Sequence, residues 1–235
     1  MARWLAQLRG DPIDLDELLF WFPSGPVHAL RDGEQVVLAG PEFEAVREEP
    51  EVRGLASEAL QKFSAIIRLL SPGFHPPLLG PVLREDDDGT RRAFLRATVS
   101  ASARLRATLS SDSPVRSRTQ AQGLLSASSG NRHLEIALLL WATPDPSWPR
   151  LYRLLEEIEA GIGRRVDAAG LCSRAERTAF THTANSADAA GLSARHKLGY
   201  CPPPTAPLRL SEAQELLGRL LEGALRSVVS SKPGA

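Results

Sequence analysis

Cysteine is scarce in this 235-residue chain, which holds only Cys172 and Cys201. Two thiols in so long a chain make no disulfide framework, and a reducing, cytoplasmic compartment is expected. Charge of one sign is also missing, since 28 basic residues balance 28 acidic ones. Any nucleic-acid contact must therefore rest on a local patch rather than on a global field. No window approaches the ~18 apolar residues of a membrane span. The opening MARWLAQLRGDPIDLDE meets Arg and Asp before any apolar run of signal-peptide length. Neither export nor membrane insertion is expected. Glycine-rich phosphate loops are lacking too: Gly161-Ile-Gly163 follows a helical pattern rather than a strand, so no P-loop or dinucleotide fingerprint exists and no nucleotide or other cofactor is expected.

What remains is a globular composition, 43% hydrophobic and 24% charged. The patterning predicts an α+β protein: an N-terminal mixed sheet with one long amphipathic helix, followed by a mainly helical C-terminal domain. The tract ATPDPSWP suggests two domains, 1–140 and 146–235, and a short helix over His133–Trp141 fits either.

In the first part, Trp4–Leu8 is a short apolar run and Leu15–Phe22 a small amphipathic segment whose Phe20, Trp21 and Phe22 suit a core. Two apolar runs flank Asp32-Gly33, a hairpin signal. Residues 50–70 place Val52, Ala56, Leu60, Phe63, Ile66, Ile67 and Leu70 at helical spacing. After the breaker tract SPGFHPPLLGP, residues 93–109 alternate strictly, which predicts a long or bulged strand. Its outer face carries Arg96, Arg104 and Arg106 beside Arg92, a candidate phosphate-contacting strip or a solvated sheet face. Residues 110–131, rich in Ser and Gly, read as a loop or linker.

The C-terminal part reads as three helices. One spans 148–162, with Ser147 as candidate N-cap. The second and third open with Ser173-Arg-Ala-Glu176 and Ser211-Glu-Ala-Gln214, both matching the capping-box pattern. Between them, residues 171–201 hold both cysteines, His182, His196 and two Arg/His pairings.

Three chemistries could use these residues. Cys172, His182, His196 and Cys201, with nine, thirteen and four residues between successive members, match no common zinc site, so no metal is expected. Cys201 is followed by three prolines and lacks any sign of an oxyanion hole, which argues against a thiol nucleophile. Metal-independent RNA cleavage needs a base for the 2′-hydroxyl and a cation beside the phosphate. Arg177 with His182, or Arg195 with His196, supply those groups, although Arg177 and His182 fall about 140° apart around a helix. The bland alternative makes Arg195 a carbonyl donor at a helix end and the segment a latch or partner-binding loop.

The order Arg195-His196, a proline-bearing loop, then SEAQELLGRLLEGALRSV resembles the tail of HEPN domains, small helical domains of bacterial toxins and defence proteins. That resemblance implies a ribonuclease site in which an Arg and a His lie four to six residues apart, between two protomers. Arg177-Thr-Ala-Phe-Thr-His182 has this spacing one helix too early, and Arg195-His196 has the position without the spacing. Residues 146–228 also resemble a group of uncharacterised bacterial proteins, through Trp148, Leu151-Tyr152, Glu156, Ala184-Asn185, Gly191, Ala194-Arg195-His196 and Ser211. The expectation is a non-enzymatic component binding RNA or protein through the Arg195/His196 loop and the strip of Arg96, Arg104 and Arg106, within a bacterial defence or stress system, partnered by another protein or by its own copies. A metal-independent ribonuclease and a structural subunit of a larger assembly are the alternatives.

Overall fold

The computed structural model describes residues 3–71, 73–95, 118–143, 145–191, 194, 202 and 204–231. The protein is α+β, and the chain divides into two compact units, Met1–Gln122 and Gly123–Ala235.

The first unit is built on β1 (Arg3–Arg9), β2 (His28–Asp32), β3 (Gln35–Ala39), β4 (Leu78–Glu85) and β5 (Arg91–Phe94), in the spatial order β2-β3-β1-β4-β5 and antiparallel throughout. The β2–β3 hairpin turns through Gly33-Glu34, because Asp32 pairs with Gln35. Positive φ occurs at Gly33 (61°) and not at Glu34, the requirement of a type II′ turn rather than the type I′ turn that Asp32-Gly33 suggests. Strand β4 lies in the tract read as a breaker. Its Gly80-Pro81 falls where the β1 register shifts between Ala6 and Leu8, and the β5 pairing stops at Val82, so Pro81 interrupts no ladder bond.

Helices α1 (Pro12–Trp21), α2 (Pro41–Glu44) and α3 (Glu49–Leu70) pack with the sheet. Trp21 and Phe22 are buried, as the aromatic run implies, and Phe22 stacks on Phe63 at 4.0 Å between ring centres. Arg53 of α3 donates to the carbonyls of Gly80 and Phe94 while paired with Glu49 at 2.5 Å, which ties the helix to the bulge and to the end of β5.

The sheet is curled. Strands β2 and β5 are its opposite edges, which a flat five-stranded sheet holds about 19 Å apart. Yet Arg91 of β5 grips Asp32 of β2 through two hydrogen bonds of 2.6 and 3.0 Å, and also reaches Glu85 at 2.8 Å. By strand alternation these groups share a face with Leu5, Val37, Ala39, Leu30 and Leu83, which form one apolar cluster with Leu5 and Val37 fully buried. The ion pair thus joins two diagonal corners over a concave apolar face. The Arg91 hydrogen bonds hold the Asp32 carboxyl below its usual range. A lowered folded-state pKa stabilises above the unfolded value and is lost as pH falls through the folded one. Asp32→Asn is therefore expected to cost about 1 kcal/mol in urea unfolding near neutral pH, discounted for a half-exposed Arg91, and progressively less as pH falls below the unfolded aspartate value near ~3.9.

Arg96, Arg104 and Arg106 lie outside the described residues, as does the alternating segment beyond Leu95; β5 itself covers only Arg91–Phe94. Within the tract read as linker, residues 118–129 are a helix, α4 (Arg118–Ser129). Its serines hide a buried stripe of Ala121, Leu124 and Ala127, spaced by three, with Ser128 also buried and bonded to the Leu125 carbonyl. The division between units falls inside α4.

The second unit adds α5 (Arg132–Ala142), α6 (Trp148–Ile162), α7 (Arg174–Asn185), α8 (Ala187–Ala190) and α9 (Leu210–Ser231). Tract 142–149 joins α5 to α6 inside this unit. Asn131 caps α5 by accepting from His133 and Leu134 N–H, and its own amide donates to the Gly161 carbonyl, which binds the start of α5 to the end of α6. The α5, α6 and α9 faces meet over Leu134, Leu138, Leu151, Leu155, Ile158, Leu217 and Leu221. The Ser173/Glu176 capping box forms in full. At α9 the box is displaced: the helix begins at Leu210, Ser211 lies inside it, and Glu212 accepts the Arg209 N–H at 2.7 Å. Among the described residues no helix is long and apolar enough to cross a membrane.

Candidate functional site

Helix α7 carries the central described part of the stretch that the sequence singles out. Its Phe180, Thr183 and Ala184 are buried, with Phe180 set between Trp148 and Tyr152 at 6.1 and 6.2 Å. The opposite arc presents Arg174, Ala175, Thr178, Ala179 and His182.

Arg177 and His182 bind different partners. The Arg177 guanidinium binds Glu159 of α6 through Nε at 2.7 Å and Nη2 at 2.9 Å, with Asp167 at 3.9 Å. Glu159 also accepts the Val166 N–H, so this carboxylate locks the α6–α7 connection. Burial raises the Glu159 pKa, but the bonds from Arg177 and Val166 outweigh it and leave the carboxyl below its ordinary value. Arg177 is raised in turn, chiefly by its bonds to Glu159.

His182 serves a different wall. Its Nε2 lies 2.8 Å from the Pro202 carbonyl, which requires the hydrogen on Nε2 and leaves Nδ1 as the acceptor nitrogen of the neutral ring. Thr183 donates to Ala179 and accepts the Leu208 N–H at 3.1 Å. The segment before α9 is thereby pinned to α7 at both ends, and a concavity opens between them, lined by Arg174, Thr178, His182, Pro204, Thr205 and Ala206 over Ala175 and Ala179. Among the described residues, the cation that shares this concavity with His182 is therefore Arg174. The spacing Arg174–Thr178–His182, four and four, is the signal that finds it.

A second concavity meets the first over the same two alanines and is lined by Glu176, Leu208, Glu212, Glu215, Leu216 and Arg219. Glu176 accepts from the Ser173 backbone, from Arg219 at 3.0 Å and from the Ser173 hydroxyl, which pulls its carboxyl down to about 2. The joined groove is antisymmetric in charge. Among the described residues one rim holds Arg174, formally +1 with His182 neutral; the other holds three glutamates and Arg219, formally −2. Among the described residues the side chains of Arg174 and Glu215 make no hydrogen bond or ion pair.

Arg195, His196 and Cys201 lie outside the described residues. Cys172 is partly buried, and desolvation together with Glu176 and Asp167 pushes its thiol up, away from the thiolate a nucleophile needs. Among the described residues no group of three His, Cys, Asp or Glu side chains is placed to hold a metal ion. Neither family models, curated proteins nor solved structures yield a match to this chain.

Proposed function

We propose that the chain is a non-enzymatic protein-binding component that holds its partner across α7, within a bacterial defence or stress system of the kind its HEPN-like tail implies. One observation supports a protein partner over RNA: the groove reverses charge across Ala175 and Ala179. A polyanion that engaged Arg174 and His182 would meet Glu212 and Glu215 as it crossed, whereas a protein segment matches both rims.

Selection of random displayed peptides on sparsely immobilised chain is expected to enrich segments that are acidic at one end and basic at the other. Enrichment should vanish with Arg174→Glu. No enrichment, with labelled RNA retained instead, would replace this reading by the RNA-binding one. A ribonuclease is the second reading, favoured by the Nδ1 of His182 left available beside Arg174. RNA cleavage in EDTA that is lost with His182→Ala would establish it.

A further inference from the structure

Resting on that reading, we propose that the partner across α7 is a second copy of this chain. In an isologous pair each patch meets its own image, and a patch of one sign repels itself. A patch that is positive on one side of a line and negative on the other is self-complementary. The two-fold axis running along the Ala175–Ala179 line, in the plane of contact, lays the Arg174/His182 rim of each protomer on the Glu212/Glu215 rim of the other. The in-plane axis at right angles would stack like on like. Electrostatics thus selects a single two-fold arrangement.

One further feature fits it. The side chains brought together, those of Arg174 and Glu215, make no hydrogen bond or ion pair among the described residues, so pairing costs neither protomer an internal contact. Glu212 is spent on the Arg209 N–H, which makes Glu215 the principal partner of Arg174. The joined site is also incomplete in one chain, because the counter-charge of each Arg174 comes from the other protomer.

The test is sedimentation of the full chain over a dilution series, with two surface variants, Arg174→Glu and Glu215→Arg. Both positions are exposed, so the fold should be retained, which circular dichroism verifies. Wild type is expected to sediment as a dimer that weakens as salt is raised. Each variant alone should lose at least about tenfold in dimer affinity, since each sets like charges opposite one another twice. An equimolar mixture of the two should recover it, because the two reversed charges then face each other at one contact and the native pair is kept at the other. A wild-type monomer at every concentration, a dimer indifferent to both variants, or a mixture that fails to recover would each overturn the proposal. If the chain is monomeric while peptide enrichment still depends on Arg174, the self-pairing fails and the protein-binding reading stands.

Discussion

Glu159→Ala is expected to cost the helical unit about 3 kcal/mol, although Glu159 faces neither rim of the groove. The carboxylate accepts from the Arg177 Nε and Nη2 and from the Val166 N–H, and both ionic side chains are about four-fifths buried. Its removal leaves a largely buried guanidinium with only Asp167, 3.9 Å away, and the Val166 amide without its acceptor, and the second loss is what distinguishes it from an exposed salt bridge. Glu159→Gln keeps acceptor oxygen but not charge, and should cost about half as much. Because the chain has two units, one unfolding midpoint does not isolate the effect. Hydrogen exchange over residues 163–177 does: protection there should fall in Glu159→Ala and be unchanged in the first unit.

The same carboxylates set an acid limit. The folded-state values of Glu159 and Glu176 are both lowered, the latter to about 2. Their contribution is therefore complete above the unfolded glutamate value near ~4.3 and is lost as pH falls through the folded values. The penalty of Glu159→Ala should shrink steadily below about pH 4.5. A penalty that persists unchanged at low pH would mean that packing, not charge, holds the α6–α7 connection.

Much of this architecture is legible from local pattern. The α3 and α6 spans and the Ser173/Glu176 cap depend on side chains within a turn or two of one another, and the structure has them as the spacing implies. What escapes is set by distant partners. Gly80-Pro81 reads as a break, and it is tolerated because a bulge opposite β1 removes the need for a Pro N–H. Serines mask α4 because small polar residues enter a helix when its buried stripe needs only Ala and Leu. The curl of the sheet rests on Arg91 meeting Asp32 across the whole sheet, which no periodicity reveals. In the site, His182 is legible as a candidate, whereas its neighbour is not: Arg177 has the family-like spacing and is drawn to Glu159 on the preceding helix, leaving Arg174 on the shared face.

Gly40→Ala is the companion test in the first unit, where backbone meets backbone. Gly40 has φ of 149°, and a Cβ there would lie 2.0 Å from the Pro26 carbonyl oxygen and 2.8 Å from its carbon. Neither atom is the flexible end of a side chain, so relief requires moving the start of β2 away from the end of β3. Phe43, buried just beyond, would move with it. Strain and displacement together should cost about 3 kcal/mol or more. Gly33→Ala separates the two causes. Gly33 also has positive φ, but nothing lies within 4 Å of its added Cβ, so it bears conformational strain alone, about 1 kcal/mol. Hydrogen exchange over β2 and β3, in urea titrations, should show Gly33→Ala mildly shifted and Gly40→Ala shifted severely or unfolded, with the second unit unchanged. Equal shifts would mean that the hairpin accommodates the clash, and that the close approach at Pro26 does not constrain the sheet.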